Sequence, residues 1–139
     1  MDKHFDIIVV GCGPTGAIAS LLLAQKGLKV AIVEQHQNVY PHPRAIALNG
    51  FSMGLIKELL QDLWSEFEYT TAVEVGYVLS KDKMNEPFGK MQPPTIEGKI
   101  LDLDHYGFLN WFNQPQLERL LRKKIENQYK IKLLKSVLS

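Results

Sequence analysis

Three glycines, Gly11, Gly13 and Gly16, constrain this chain most. They stand between the apolar runs Ile7-Ile-Val-Val10 and Val30-Ala-Ile-Val33, and the second run ends in Glu34. A strand, a glycine turn, a helix of small residues and a second strand make a βαβ unit suited to gripping an adenine dinucleotide. Gly11 permits the tight turn off the strand. Gly13 has no Cβ to hold a pyrophosphate away from the backbone, and Gly16 lets the helix lie close on the sheet. The free N–H groups and positive end of that helix face the phosphates, while Pro14 fits its first turn, where no N–H is missed. Glu34 stands near the spacing at which a carboxylate accepts hydrogen bonds from the adenosine ribose hydroxyls. It would also repel a 2′-phosphate, which favours FAD or NAD over NADP. An ordinary strand-to-helix bend needs only some of these features, whereas here strand, helix, second strand and terminal acid occur together.

At 139 residues and 45% hydrophobic content, the chain has enough material for one domain with a core. A net charge of +1 makes no electrostatic case for nucleic acid or an anionic membrane surface. The opening apolar run is too short for a membrane span and lacks a cationic leader, so a cytoplasmic location without membrane or nucleic-acid partners is expected. Cys12 is the single cysteine, which excludes an internal disulfide. In the turn it reads as a small buried residue rather than a redox thiol. His4, His36, His42 and His105 lack zinc-type spacing, and no metal is expected.

Beyond the opening unit, Pro41 and Pro43 hold an extended loop over residues 35–44. Phe51, Leu55, Leu59 and Leu60, extended by Leu63 and Trp64, predict an amphipathic helix. Alternation through Val73 and Val75 predicts a strand over 70–80, followed by a turn at 81–85; residues 89–98 have no regular pattern. Leu117, Leu120, Leu121 and Ile125 define one face of a helix over 116–128, with Pro115 near its start and charges on the other side. Residues 129–138 predict a final strand beside the first two. The resulting open, three-stranded parallel sheet has an unsatisfied edge and little cover.

The segments Gly11-Cys-Gly-Pro-Thr-Gly16, Glu34, Tyr40-Pro-His-Pro-Arg-Ala-Ile-Ala-Leu48 and Asn113-Gln-Pro-Gln-Leu-Glu118 occur in this order. Together they resemble the single-component FAD-dependent aromatic hydroxylases, most of all the 3-(3-hydroxyphenyl)propionate hydroxylases. The resemblance implies an α/β fold: a Rossmann-like FAD-binding βαβ unit with an inserted β-rich segment, truncated. Residues 1–69 and 107–139 are expected to form part of the FAD-binding domain, and 70–106 to start a substrate-side sheet. It further implies that Arg44 lies near the FAD pyrophosphate or flavin end, which suits a planar cation with fixed donors. Gln114 is matched to a glutamine bonding the FAD ribitol or phosphate region; the alternative is a helix-entry cap. Glu118 is expected to face solvent or pair with Arg122. The expected cofactor-binding set is therefore Gly11, Gly13, Pro14, Thr15, Gly16, Glu34, Arg44 and Gln114. Tyr77, Phe88, Tyr106, Trp111 and Phe112 read first as packing, and no acid, base or nucleophile is assigned.

These hydroxylases run to several hundred residues, and their later Asp-Gly and Gly-Asp segments have no counterpart here. Asn49 and Gly50 also stand where relatives often carry acids. The chain is thus expected to be the N-terminal portion of a larger oxidoreductase. That enzyme would use NADH or NADPH to reduce FAD, and O₂ to hydroxylate a phenolic aromatic acid. The alternatives are another FAD-dependent enzyme, such as a halogenase or dehydrogenase, and an inactive truncated remnant. A simple NAD-binding Rossmann dehydrogenase fits less well, because regular βαβ alternation stops after Glu34.

Overall fold

The two apolar runs flanking the glycine turn form adjacent parallel strands, β1 (Ile7–Val10) and β2 (Val30–Glu34), with Ile7 beside Val30 and Val10 beside Val33. Helix α1 (Pro14–Gln25) connects them. This computed structural model describes residues 4–72, 75–77, 79–83, 85, 86, 88–92, 95–100 and 106–135. After α1 and β2 come β3 (Ala47–Leu48), α2 (Gly50–Leu60), a 3₁₀ turn (Gln61–Glu66) and β4 (Tyr69–Thr71). The short strands β5 (Gly76–Tyr77), β6 (Gly89–Lys90), β7 (Thr95–Ile96) and β8 (Lys99–Ile100) follow, then β9 (Asn110–Phe112), α3 (Gln114–Glu126) and β10 (Ile131–Lys135).

Strand β10 pairs in parallel with β2, Ile131 beside Val30, so the main sheet runs β1-β2-β10 as expected from the final apolar segment. Side chains alternate across its strands. Val30, Ile32 and Ile131 consequently meet Ala17, Leu21, Leu117, Leu121 and Ile125 of α1 and α3 in one apolar core. Each large aliphatic group buried there contributes about 1.5–3 kcal/mol. Ile8 and Val10 point to the other side and are 66% and 76% exposed. This is the thin cover foreseen for the three-stranded sheet.

Several expected elements change. Helix α2 buries Met53, Ile56, Leu59 and Leu60, whereas Phe51 is 63% exposed, so its inward stripe is rotated from the one chosen by the largest side chains. Packing against both α1 and α3 decides which stripe faces inward. Asn49 follows β3 and caps α2 by accepting the Ser52 N–H at 2.8 Å, a local role for a residue that departs from the family pattern. The expected strand over 70–80 is two strands in different sheets, since β4 pairs with β9 and β5 with β6. Val73 lies outside the described residues. The unpatterned stretch 89–98 contains β6 and β7, the latter closing a hairpin with β8.

The second sheet, β3-β9-β4, was not anticipated. Its centre is Asn110, fully buried, whose carboxamide accepts the Thr71 hydroxyl at 2.8 Å and donates to the Leu48 carbonyl at 3.4 Å. One side chain thereby pins three strands, and β9 leads directly into α3. Trp64, Phe67, Tyr69, Tyr106 and Phe112 form an aromatic cluster beside this sheet, with ring centroids 5.3–6.3 Å apart. Tyr106 and Phe112 thus serve packing, as read from sequence.

Candidate functional site

The cleft begins where β1 ends. Gly11 adopts φ +96°, a conformation open to glycine but strained for L side chains, and its N–H donates to the Val33 carbonyl at 2.8 Å. This turn delivers Gly13 to the N-cap of α1, with Pro14 in the first turn. No side chain caps that helix end, so its positive terminus is left to whatever occupies the cleft. A Cβ on Gly13 would meet no heavy atom within 4 Å, leaving a cradle open beside the backbone. At Gly16 the reverse holds: a Cβ would strike the Gly11 carbonyl oxygen, which shows how closely α1 lies on β1. Thr15 is exposed on the first turn.

A cavity of about 320 Å³ is lined by Gly11, Gly13, Glu34, His36 and Arg44, among others. Residues from the glycine turn, the end of β2 and the proline loop therefore meet at one place. Arg44 is exposed, and its guanidinium lies 5.4 Å from the Tyr40 ring centroid. That cation–π contact gives the long side chain a rest position on the loop.

Glu34 is only 7% exposed. Its Oε2 accepts the Cys12 N–H at 2.7 Å, its Oε1 accepts the His36 N–H at 2.8 Å, and Arg122 Nη2 lies 3.7 Å from Oε2. Burial pushes its carboxyl upward, but the His36 and Cys12 amides, followed by the Arg122 guanidinium, outweigh burial and hold it below its ordinary value. The carboxylate therefore stays ionised, with acceptor capacity to spare at the cavity wall.

Cys12 is fully buried. Burial raises its thiol above the usual value; Arg122 opposes this, while Glu34 and Glu118 add to it. The neutral thiol agrees with a packing role. Native chain should accordingly resist alkylation by iodoacetamide at pH 8, with labelling accelerating by orders of magnitude in denaturant. Equal labelling rates in both conditions would contradict this burial.

Gln114 is not the cap of α3. Asn113 is the N-cap of α3, accepting the Gln116 N–H at 3.2 Å. Gln114 lies in the first turn, where Oε1 accepts the N–H groups of Arg44 at 2.8 Å and Ala45 at 2.6 Å. Its Nε2 donates to Glu118 Oε1 at 2.7 Å. Glu118, expected to face solvent or pair with Arg122, is 4% exposed, and Arg122 is 8% exposed. The charged side of α3 is thus partly internal, because Gln114, one turn earlier on the same face, and Glu34, at the end of β2, provide partners. Sequence reasoning missed Arg122 as a neighbour of the cleft; its i, i+4, i+8 spacing from Glu118 and Gln114 was the available signal.

Residues 4–137 match the FAD binding domain family. A curated relative, 4,4'-diapophytoene desaturase (4,4'-diapolycopene-forming) of Methylomonas, is 46% identical over 50 residues, 36% of this chain and 9% of its own length. The 2,4-dichlorophenol 6-monooxygenase of Cupriavidus pinatubonensis is 40% identical over 63 residues, covering 45% of this chain and 10% of the relative. The solved structure of p-nitrophenol 4-monooxygenase PnpA from Pseudomonas putida superposes with a TM-score of 0.70 at 19% identity. That superposition covers 98% of this chain and 33% of PnpA, and it shows a shared fold. The chain therefore spans about a tenth of these two curated relatives and a third of PnpA. With the family match running through nearly all of its residues, this chain belongs to the FAD binding domain family.

Proposed function

We propose that this chain is the FAD-binding N-terminal part of an NAD(P)H-dependent flavoprotein monooxygenase that hydroxylates a phenolic aromatic acid. The supporting observation is the convergence of Gly11, Gly13, Glu34 and Arg44 on one cleft at the N-terminus of α1. In this reading the open Gly13 cradle and the α1 N–H groups receive the pyrophosphate, with Pro14, Thr15 and Gly16 shaping that first turn. Glu34 accepts the adenosine ribose hydroxyls, and Arg44 supplies a cation toward the diphosphate or flavin end. Gln114 holds the Arg44 backbone and, at the same wall of the fold, is assigned to the FAD ribitol or phosphate region. Bound FAD supplies the redox and oxygen chemistry, while the protein orients it and excludes water. Residues 70–106 are assigned to the start of a substrate-side sheet. The 2,4-dichlorophenol 6-monooxygenase likeness supports a phenolic substrate, and the soluble, small-molecule character of such substrates suits a cytoplasmic enzyme.

Titrating the 139-residue chain with FAD, read by flavin fluorescence, should give saturable binding that excess NAD does not displace. Displacement by NAD would favour a simple nicotinamide-binding domain instead. For a longer form of the protein, oxygen uptake should require both NADH or NADPH and a phenolic acid, with a hydroxylated product formed. Flavin reduction with neither oxygen uptake nor hydroxylation would favour a dehydrogenase.

A further inference from the structure

On α3, residues 114, 118 and 122 repeat every four positions and therefore share one face. All three are polar, and all are buried: Gln114 is 5% exposed, Glu118 4% and Arg122 8%. At one end of this face Gln114 takes the Arg44 and Ala45 amides. Two turns later, about 12 Å along the helix, Arg122 reaches Glu34. The same guanidinium extends Nη1 to the Gln37 carbonyl at 3.4 Å, so one planar group touches both the carboxylate and the loop that follows it.

Arg122 is not placed for its own saturation. Its Nε is buried without a hydrogen-bond partner, the sole such side-chain atom among the described residues. An unmet buried donor carries a desolvation cost with no hydrogen bond to offset it. The fork of an arginine nevertheless has the shape to address two acceptors at once, and here those acceptors are Glu34 and the Gln37 backbone. Cys12 from the glycine turn and His36 from the following loop meet the same carboxylate. Glu34 is therefore clamped from three sides, and α3 provides the guanidinium among them.

We propose that Arg122 is a positioning residue for ribose recognition: from α3 it fixes the orientation of the Glu34 carboxylate relative to the loop at Gln37, without touching the cofactor itself. This rests on the assignment of Glu34 to the adenosine ribose. The direct consequence is a selective one. Loss of Arg122 should erase the benefit of the ribose hydroxyls while leaving the pyrophosphate cradle at Gly13 in place.

The test is to titrate the chain and its Arg122→Met and Arg122→Lys variants with FAD and with an FAD analogue lacking the adenosine 2′-hydroxyl, each variant first checked for native circular dichroism. The parent should prefer FAD by about tenfold or more, the scale of a hydrogen bond to a charged acceptor. In Arg122→Met that preference should fall to within about twofold, and Arg122→Lys, which retains charge without the fork, should lie between. A merely structural role would weaken both ligands alike and leave the preference intact. Parent-level preference in folded Arg122→Met, or in Arg122→Lys should the first not fold, overturns the proposal. A parent that binds FAD and the deoxy analogue equally well overturns the ribose assignment of Glu34, and the positioning role with it.

Discussion

Gly16→Ala is expected to lower the thermal midpoint by roughly 10 °C, the equivalent of about 3 kcal/mol. The added Cβ would strike the Gly11 carbonyl oxygen, and it would lie 3.2 Å from the Gly11 carbonyl carbon and 3.4 Å from Val9 Cγ1. Two of those neighbours are backbone atoms, so relief requires α1 to move off β1. That shift would loosen Ala17 and Leu21 from Val30 and Ile32 in the core. Against a total stability on the order of 5–15 kcal/mol, this is a large fraction. Gly13→Val should behave in the opposite way. Gly13 has φ −74° and ψ −178°, which valine adopts freely, and its Cβ would project into open space. Its melting should match the parent within about 2 °C, while FAD binding falls at least tenfold, or about 1.4 kcal/mol. Differential scanning fluorimetry and flavin titration on the pair separate fold from site. Parental melting in Gly16→Ala would refute the close helix approach, and parental FAD binding in Gly13→Val would refute the cradle.

Removing the Glu34 carboxylate should be the other severe change. Glu34→Ala leaves the Cys12 and His36 amides without their acceptor and Arg122 without its counter-charge. Breaking one side of a buried pair costs about 3–5 kcal/mol; the 3.7 Å separation places this pair near about 3 kcal/mol. Guanidinium denaturation should report that loss, and FAD affinity should fall with it. The pH dependence has a definite sign. Because the folded carboxyl sits below its ordinary value of 4.5, its contribution is fully present above that value and is lost as pH falls through the lower folded one. Glu34→Gln should therefore be less stable than the parent at neutral pH, with the gap narrowing as the solution is acidified below 4.5. A gap that stays constant through this range would show that the ionised carboxylate adds nothing to stability.

The elements legible in the sequence are those whose causes are local. Gly11 must take a positive φ whatever surrounds it. Val30 to Val33 form a strand because a continuous apolar run rich in β-branched residues suits a strand buried in a parallel sheet. Leu117, Leu120, Leu121 and Ile125 lie on one helical face, and that face is buried as read. The second sheet was less accessible because β3, β4 and β9 are two or three residues each. Strands so short carry no usable period, and their identity comes from pairing across as many as 64 positions, as Ala47 with Trp111.

The candidate site divides in the same manner. From sequence alone came the glycine turn, the acid at the end of β2, the apolar face of α3 and, through family likeness, Arg44. The tertiary structure decided that Gln114 grips the Arg44 backbone, that Glu118 and Arg122 turn inward, and that Phe51 faces solvent while Met53 and Ile56 enter the core. Hydrophobic patterning assigns polar side chains to water because burial without a partner is costly. Whether a partner exists depends on a residue 88 positions away, as with Glu34 and Arg122, and only the folded chain brings the two together.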